Sequence, residues 1–390
     1  MSDLDRLREI HRHARGTARP VSLLDRARGV KAKVVASIEA TRRYGDRARD
    51  AAGVPLWKQF VRQLRVTSKH GFSNDEFYKF RLYEDRNVAR AGYFFRGGFG
   101  AEVRELVTEA LSADSSGLDD KLKFYVACRE NGVSTADVVS SFSSGNVVWY
   151  HGEGRLPERD LFAKPTRGEG GQGIELWAYH DGTYQSEGGD AFTAEALVAH
   201  LAERSASADY LLQPRLRNHP DLARISSGGL STVRVVTAME SPDGEPQVLV
   251  TALRMALSSS TVDNFGEGGL AAPVDPETGI LGLAIKKNLA DAALDFAVHP
   301  ATGHLIEGTL VPLWDEVVAL ARQAHRSFPH LLVVGWDIAV TTEGVVVVEG
   351  NSKPGSNLSQ QPGARPLGLT PLPGIYLRAL GRRAEAVRSV

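Results

Sequence analysis

Cysteine is nearly absent: Cys128 is the one thiol in 390 residues. A single thiol cannot close an internal disulfide, which points to a reducing compartment. Nothing around Cys128 resembles the setting of a nucleophile, so it reads as a buried structural thiol. Long apolar runs are also lacking. None approaches the roughly 20 residues that cross a bilayer, so no integral membrane segment is expected. Positions 1–19 are charged throughout and have no apolar signal core. A cytoplasmic location is therefore expected. Net charge is lacking too, at −1. The bulk field favours no particular partner, and no nucleic acid is expected. Repeats and low-complexity tracts are missing.

What is present is a globular composition, 42% hydrophobic and 24% charged, enough to build a sizeable core. The length suits two or three domains of roughly 100–200 residues each. Charge is uneven only at the start. Positions 1–65 hold sixteen Lys/Arg against seven Asp/Glu. Leu4, Leu7 and Ile10, then Val34, Val35 and Ile38, recur there at helical spacing. This is a basic helical face, either simply solvated or a patch for a phosphorylated partner or a membrane surface. Ser73 with Glu76 three residues on predicts a capped helix start. Gly97-Gly98-Phe99-Gly100 breaks the helical pattern, and 114–117 reads as a boundary.

From 118 onward strands and helices alternate. A helix is expected at 120–131, and extended chain at 136–139, 146–150 and 159–164. A helix at 194–204 precedes strands at 210–213, 232–239 and 247–255. An amphipathic helix at 314–327 leads to strands at 333–341 and 345–349. The class is α+β, with antiparallel sheet toward the C-terminus.

The last two strands carry the most telling chemistry. Thr342-Glu343-Gly344 predicts a three-residue turn with Gly344 in the left-handed position. Thr341 then pairs with Val345, and Asp337 stands opposite Glu349. Asn351 falls two residues on, on the same face. Opposed like charges destabilise a sheet. Two carboxylates and an amide oxygen make a hard-oxygen site that suits magnesium, which takes one or two protein carboxylates and leaves positions for substrate phosphates. The surrounding valines make the pair too apolar for a casual surface hairpin.

A second feature is Phe162-Ala163-Lys164-Pro165 followed by Gly168-Glu169-Gly170-Gly171-Gln172-Gly173. The spacing fits GxGxxG, but a strand rather than a helix follows, which excludes a dinucleotide fold. No Lys-Ser/Thr follows the last glycine, which excludes a Walker loop. A strand, a glycine-rich loop and a returning strand can lay backbone N–H groups over phosphates, with Lys164 neutralising charge.

These features, in this order, resemble the ATP-grasp superfamily, and most of all its sugar-transfer-associated branch, related to glutamate-ligase-like proteins. The segment from Asp120 through Lys121 and Lys123, ahead of 131–135, resembles the one that supplies the first ATP lysine, with Lys121 preferred. Lys164 and its loop resemble the second lysine and the phosphate loop. Leu211-Leu212-Gln213-Pro214-Arg215-Leu216 resembles the hinge that reads adenine. The family usually carries an acid where Gln213-Pro214 stands, and Asn218 is the substitute for the ribose contact. Ser231-Thr232-Val233-Arg234 resembles the strand with an active-site arginine. Arg254, Asp263-Asn264 and Gly268-Gly269 resemble the segment that faces phosphate and substrate. Gly335-Trp336-Asp337 and Glu349-Gly350-Asn351 resemble the metal ligands.

The resemblance implies an ATP-grasp fold, two α+β subdomains gripping ATP, behind a mainly helical N-terminal region. Its parts would be 1–117 (helical and mixed), 118–208 (lysines and glycine loop), 209–375 (hinge and metal site) and a tail at 376–390. It implies ATP and Mg2+ as cofactors, with Mn2+ as a stand-in. Gly170, Gly171, Gln172 and Gly173 would cradle phosphate. Asp337, Glu349 and Asn351 would hold the metal. Arg234, Arg254, Asn264 and Lys353 would serve the chemistry, and Lys286, Lys287, Ser356 and Asn357 are further substrate contacts. The implied reaction activates a small-molecule carboxylate as an acyl phosphate and couples it to an amine, in sugar-linked or secondary-metabolite biosynthesis. Two other readings stay open: a small-molecule kinase on the same fold, and a nucleotide-binding scaffold of glycosyl-transfer machinery. A homodimer also stays open.

Overall fold

The computed structural model describes residues 1–14, 23–111, 116–151, 154–168, 172–257, 265, 268–287 and 295–388. The N-terminal third is helical: α1 (Asp3–Ala14), α2 (Leu23–Ala52), α3 (Leu56–His70), α4 (Asn74–Lys79), α5 (Asp85–Ala89) and α6 (Gly97–Leu111). Leu4 and Leu7 are buried as their spacing predicts, whereas Val35 and Ile38 stay exposed. The face that α2 buries carries Ser37, Ala40, Tyr44 and Ala48 instead. These small residues let the Tyr44 ring reach Tyr78, centroid to centroid at 5.3 Å. At α4 the capping box forms as expected: Ser73 Oγ accepts from Glu76 N, and Glu76 accepts from Ser73 N. The glycines at 97–100 do not break a helix; they open α6. Glu76 accepts the Gly97 N–H at 2.6 Å, which satisfies a donor at the helix start.

Two short helices follow, α7 (Ser116–Asp119) and α8 (Lys121–Glu130). Asp120 caps α8 by accepting from the N–H groups of Leu122 and Lys123. A seven-stranded antiparallel sheet comes next. Its strands are β1 (Ser140–Ser143), β2 (Asn146–Trp149), β3 (Leu161–Pro165), β4 (Glu175–His180), β5 (Thr183–Ser186), β6 (Ala191–Phe192) and β7 (Tyr210–Pro214). The spatial order is β2-β1-β7-β3-β4-β5-β6. The extended stretch expected at 136–139 is not a strand; β1 begins at Ser140. Helix α9 (Ala194–Arg204), capped by Thr193, buries Leu197 and Leu201 against this sheet.

After α10 (Pro220–Arg224) comes a six-stranded antiparallel sheet: β8 (Thr232–Ala238), β9 (Gln247–Met255), β10 (Leu270–Pro273), β11 (Ile285–Lys286), β12 (Val333–Thr341) and β13 (Gly344–Asn351). Its order is β11-β10-β9-β8-β12-β13. Helix α11 (Trp314–Arg326) lies on one face. The chain ends with α12 (Ser356–Gln360) and α13 (Leu372–Arg388). The stretch expected as a tail from 376 is thus the body of a helix. Leu372, Ile375, Tyr376 and Ala379 are buried at i, i+3, i+4 and i+7, the spacing of one helix face.

Side chains alternate across the six-stranded sheet, as the pleat requires. One face, with Val233, Val235, Leu253, Val334, Trp336 and Ile338, packs into the core beneath α11. The other face is divided. Val236, Val250 and Val333 pack against α1, α6 and α13. The remaining part of that face carries Arg234, Arg254, Asp337 and Glu349. The two sheets are joined by 134–136, which lies on β13: Ser134 Oγ donates to Val345 O and Thr135 Oγ1 to Val347 O, each at 2.8 Å.

Candidate active site

The hairpin β12–β13 puts Asp337 opposite Glu349, as its sequence predicts, but by another route. The turn is tighter than expected. Thr341 pairs with Gly344 and Val340 with Val345, so two residues, Thr342 and Glu343, form the loop. Thr341 Oγ1 donates to Gly344 O and accepts from Glu343 N. Gly344, at φ 116°, holds a conformation that disfavours a side chain. A register shift between Asp337 and Ile338 then takes up one extra residue on β13. This β-bulge restores the pairing that the shorter turn would have lost.

Asp337 is almost fully buried, and its carboxylate is saturated. Arg234, opposite it on β8, donates from Nε to Oδ1 at 2.6 Å and from Nη2 to Oδ2 at 3.0 Å. Arg254 Nη2 lies 3.1 Å from Oδ2, and Asn351 Nδ2 donates to the same oxygen at 3.4 Å. Burial pushes the Asp337 pKa up, but the two guanidiniums outweigh it and hold the carboxyl below its ordinary value. Gly335 makes this approach possible. A Cβ there would stand 2.9 Å from Pro354 Cβ and 3.2 Å from Arg234 Cδ.

Glu349 is the opposite case. Burial and Asp337 raise its pKa, against the pull of Lys121, Lys164 and Arg254. Its carboxylate makes no hydrogen bond to a described residue. Lys164, on β3, is buried, and desolvation lowers it to about 8; Glu349 pulls it up and Lys121 pushes it down. Lys121 Nζ donates to Gly168 O at 2.9 Å, and Lys121 N donates to Thr166 O. The start of α8 is thereby tied to the entry of the glycine loop. At the loop's exit Gly173 has φ 74°, and a Cβ would crowd Pro165 at 3.0 Å and Tyr210 Oη at 3.1 Å. Gln172 is exposed. Gly170, Gly171 and Asn264 lie outside the described residues.

The hinge residues sit on β7 and just beyond it. Gln213 is buried and donates to Ala136 O at 3.0 Å. Pro214 pairs with Leu161, and Arg215 N donates to Asp160 O. Leu216 follows, half-buried. Asn218 braces its own loop. Its Nδ2 donates to Gly229 O and its Oδ1 accepts from Ser231 N, at 2.8 and 2.7 Å. Lys353 is exposed, two residues past Asn351. Cys128 is buried and free, and burial lifts its thiol to about 12, in keeping with a structural role.

One cluster escapes sequence reasoning. Tyr125, Asp137 and His151 converge beside Ala136. Tyr125 Oη lies 3.2 Å from both Asp137 Oδ1 and His151 Nε2, and His151 Nε2 lies 3.0 Å from Asp137 Oδ1. It puts an exposed carboxylate next to the hinge. The three residues come from separate segments, and no local pattern marks them.

The donor set at β13 fits a hard divalent cation: the Glu349 carboxylate, which lacks a hydrogen-bond partner among the described residues, and the side-chain oxygen of Asn351. Asp337 could join them only as its guanidinium partners turn away. Among the described residues there is no cluster of three or more His, Cys, Asp or Glu side chains that could hold a metal by themselves.

Residues 112–370 match the model of a family described as sugar-transfer associated ATP-grasp. No curated protein matches the sequence. Among solved structures the chain is similar to an ADP complex of N5-carboxyaminoimidazole ribonucleotide synthetase, at 13% identity and TM-score 0.34, over 63% of this chain and 51% of that one. It is similar to the D-alanine–D-alanine ligase of Coxiella burnetii at 12% identity and TM-score 0.39, over 74% and 67% of the two chains. An L-amino acid ligase from Bacillus licheniformis matches at 12% identity and TM-score 0.39, over 69% and 52%. The chain thus spans about half the length of the first and third of these proteins.

Proposed function

The chain belongs to the sugar-transfer associated ATP-grasp family, and from that premise we propose that it is a ligase that spends ATP to join a small-molecule carboxylate to an amine through an acyl phosphate. The supporting observation is the gathering of cations at the site. Lys121, Lys164, Arg234 and Arg254 stand around Asp337 and Glu349, and all but Lys121 are largely shielded from water. A polyphosphate is the kind of anion that such a set of cations binds.

Each residue then has a task. Lys121 and Lys164 bind the phosphates, with the backbone of the glycine loop beside them. The hinge at Gln213–Leu216 receives the base. Glu349 and Asn351, with Asp337, would hold Mg2+, whose chemistry when bound is to neutralise phosphate charge. Arg254 and Arg234 orient the transferring phosphoryl group, and positioning of this kind is the main demand of phosphoryl transfer. A carboxylate oxygen of the acid attacks the γ-phosphorus and ADP leaves. The amine then attacks the acyl carbon, inorganic phosphate leaves, and the amine loses a proton. The arginine donors stabilise the oxyanion formed on the way. Lys353, exposed just past the hairpin, would contact the acceptor.

The test is product analysis. Purified protein with ATP, magnesium and a panel of acid–amine pairs releases ADP and phosphate in equal amounts, and a chelator stops it. A stable phosphorylated product without free phosphate makes the protein a kinase instead. Unchanged turnover in Glu349→Ala removes the metal assignment.

A further inference from the structure

A small cleft opens on the same face of the six-stranded sheet, behind the charged cluster. Its volume is about 30 Å3, and it is lined by Arg104, Ser356, Tyr376 and the apolar side chains of Phe95, Val236 and Val333. Three hydrogen-bond donors border it. Arg104, on α6, has no acidic partner among the described residues; Nη1 reaches only Pro354 O, at 3.4 Å. Tyr376, on α13, is buried, and its hydroxyl makes no hydrogen bond to a described residue. Burial lifts this phenol to about 12, so it stays a neutral donor at any ordinary pH. Ser356 Oγ likewise has no described partner. A guanidinium with one long carbonyl contact and two hydroxyls with no acceptor among the described residues, beside an apolar wall, offer donors suited to an anion.

Donor geometry says which anion. A guanidinium fork flanked by two hydroxyls matches the two oxygens of a carboxylate, the group that the ligase reading already requires of the substrate. Distance says whose carboxylate. Val236 lies two residues from Arg234 on β8, and Val333 four residues from Asp337 on β12. At about 3.4 Å per residue the cleft is roughly 7–13 Å from the charged cluster along the sheet, the length of one small molecule. Pro354 ties the two together: its Cβ lies where a side chain on Gly335 would stand, and its carbonyl accepts from Arg104.

We propose that Arg104, Tyr376 and Ser356 bind a second, non-reacting carboxylate of the acid substrate, so that the substrate class is a dicarboxylate or an acid with a carboxylate-bearing tail. This deepens the ligase reading and rests on it for the identity of the reacting end. The cleft sits between the N-terminal helices and the catalytic sheet, which gives the N-terminal region a role in choosing the substrate.

The test needs neither ATP nor metal, so it is separable from the ligase reading. Binding of succinate through suberate to the full chain is followed by saturation-transfer NMR, with the monocarboxylates of matching length as controls. The expected result is that one or more of the dicarboxylates binds better than its control, and that Arg104→Met erases the advantage, a loss of about tenfold or more, the weight of one charge-assisted contact. Arg104→Lys restores part of it. Tyr376→Phe, which removes only a hydroxyl, gives a smaller loss in the same direction and carries the test if Arg104→Met does not fold. Equal binding of dicarboxylates and controls by the wild type overturns the proposal. So does an advantage that survives both Arg104→Met and Tyr376→Phe.

Discussion

Glu349 stands opposite Asp337 because β13 carries one residue more than β12 between the turn and the acids. The bulge that absorbs it lets an apolar hairpin with a tight turn present two carboxylates on one face. Their surroundings differ: Asp337 is neutralised by two guanidiniums, whereas Glu349 is buried beside a like charge and is raised in pKa.

The two acids therefore respond oppositely to loss of charge. Asp337→Asn leaves Arg234 buried without the carboxylate it is paired with and costs roughly 3–5 kcal/mol of stability. Glu349→Gln removes the repulsion from Asp337 and leaves stability unchanged or higher by up to about 1 kcal/mol. Urea unfolding of both variants separates these outcomes, and both abolish turnover.

Lys164 makes nucleotide binding pH-dependent. With its pKa lowered to about 8, the amine loses its charge as pH rises through that value, and affinity for ATP falls between pH 7 and 9. In Lys164→Met the affinity is lower throughout and flat over that range. The sign for stability is the reverse. The unfolded lysine keeps its proton up to its ordinary value of 10.5, so the unfolded state binds more protons between about 8 and 10.5. Lys164 thus adds stability to the ligand-free chain as pH rises across that window. Calorimetric titration and thermal unfolding across pH check the two halves.

Gly335→Ala tests the close approach on β12. The added Cβ meets Pro354 at 2.9 Å and Arg234 at 3.2 Å. Overpacking of this kind costs about 1–3 kcal/mol. Because Arg234 is the neighbour displaced, kcat falls while KM for ATP holds, which steady-state kinetics resolves.

His325 sets an acid limit. It is buried under β8 and β12, close to Thr237 and Leu331, and desolvation lowers it to about 4. The Leu331 carbonyl accepts a hydrogen bond from Nε2–H, so Thr237 donates to Nδ1, and Trp336 Nε1 donates to Thr237 in turn. The unfolded histidine binds a proton at its ordinary 6.5, so stability is lost as pH falls from about 6.5 toward 4. Thermal unfolding of wild type and His325→Gln over that range shows the slope in the first and a weaker one in the second.

The sequence is most legible where periodicity is strong and local. Strands β9 and β12 and helix α9 fall where their alternation and capping place them. The Asp337–Glu349 pairing is also legible, but only because two miscounts cancel: the turn is one residue shorter than expected, and β13 bulges by one. A bulge changes which residues pair without changing composition, so no pattern reveals it. Gly97 reads as a breaker because its partner, Glu76, lies 21 positions away and supplies the missing acceptor. The C-terminal helix carries its apolar spacing openly, yet the basic residues between obscure it. Arg104 and Tyr376 are invisible to any window, since only the folded chain brings α6 to α13.

In the proposed reaction a carboxylate of the substrate takes the γ-phosphoryl group. The most direct measurement uses the accepted acid labelled with oxygen-18 in its carboxyl group. Mass spectrometry of the released inorganic phosphate then follows a complete turnover with ATP and amine. An acyl phosphate transfers one labelled oxygen to each phosphate formed. Phosphate free of label rules out an acyl phosphate intermediate.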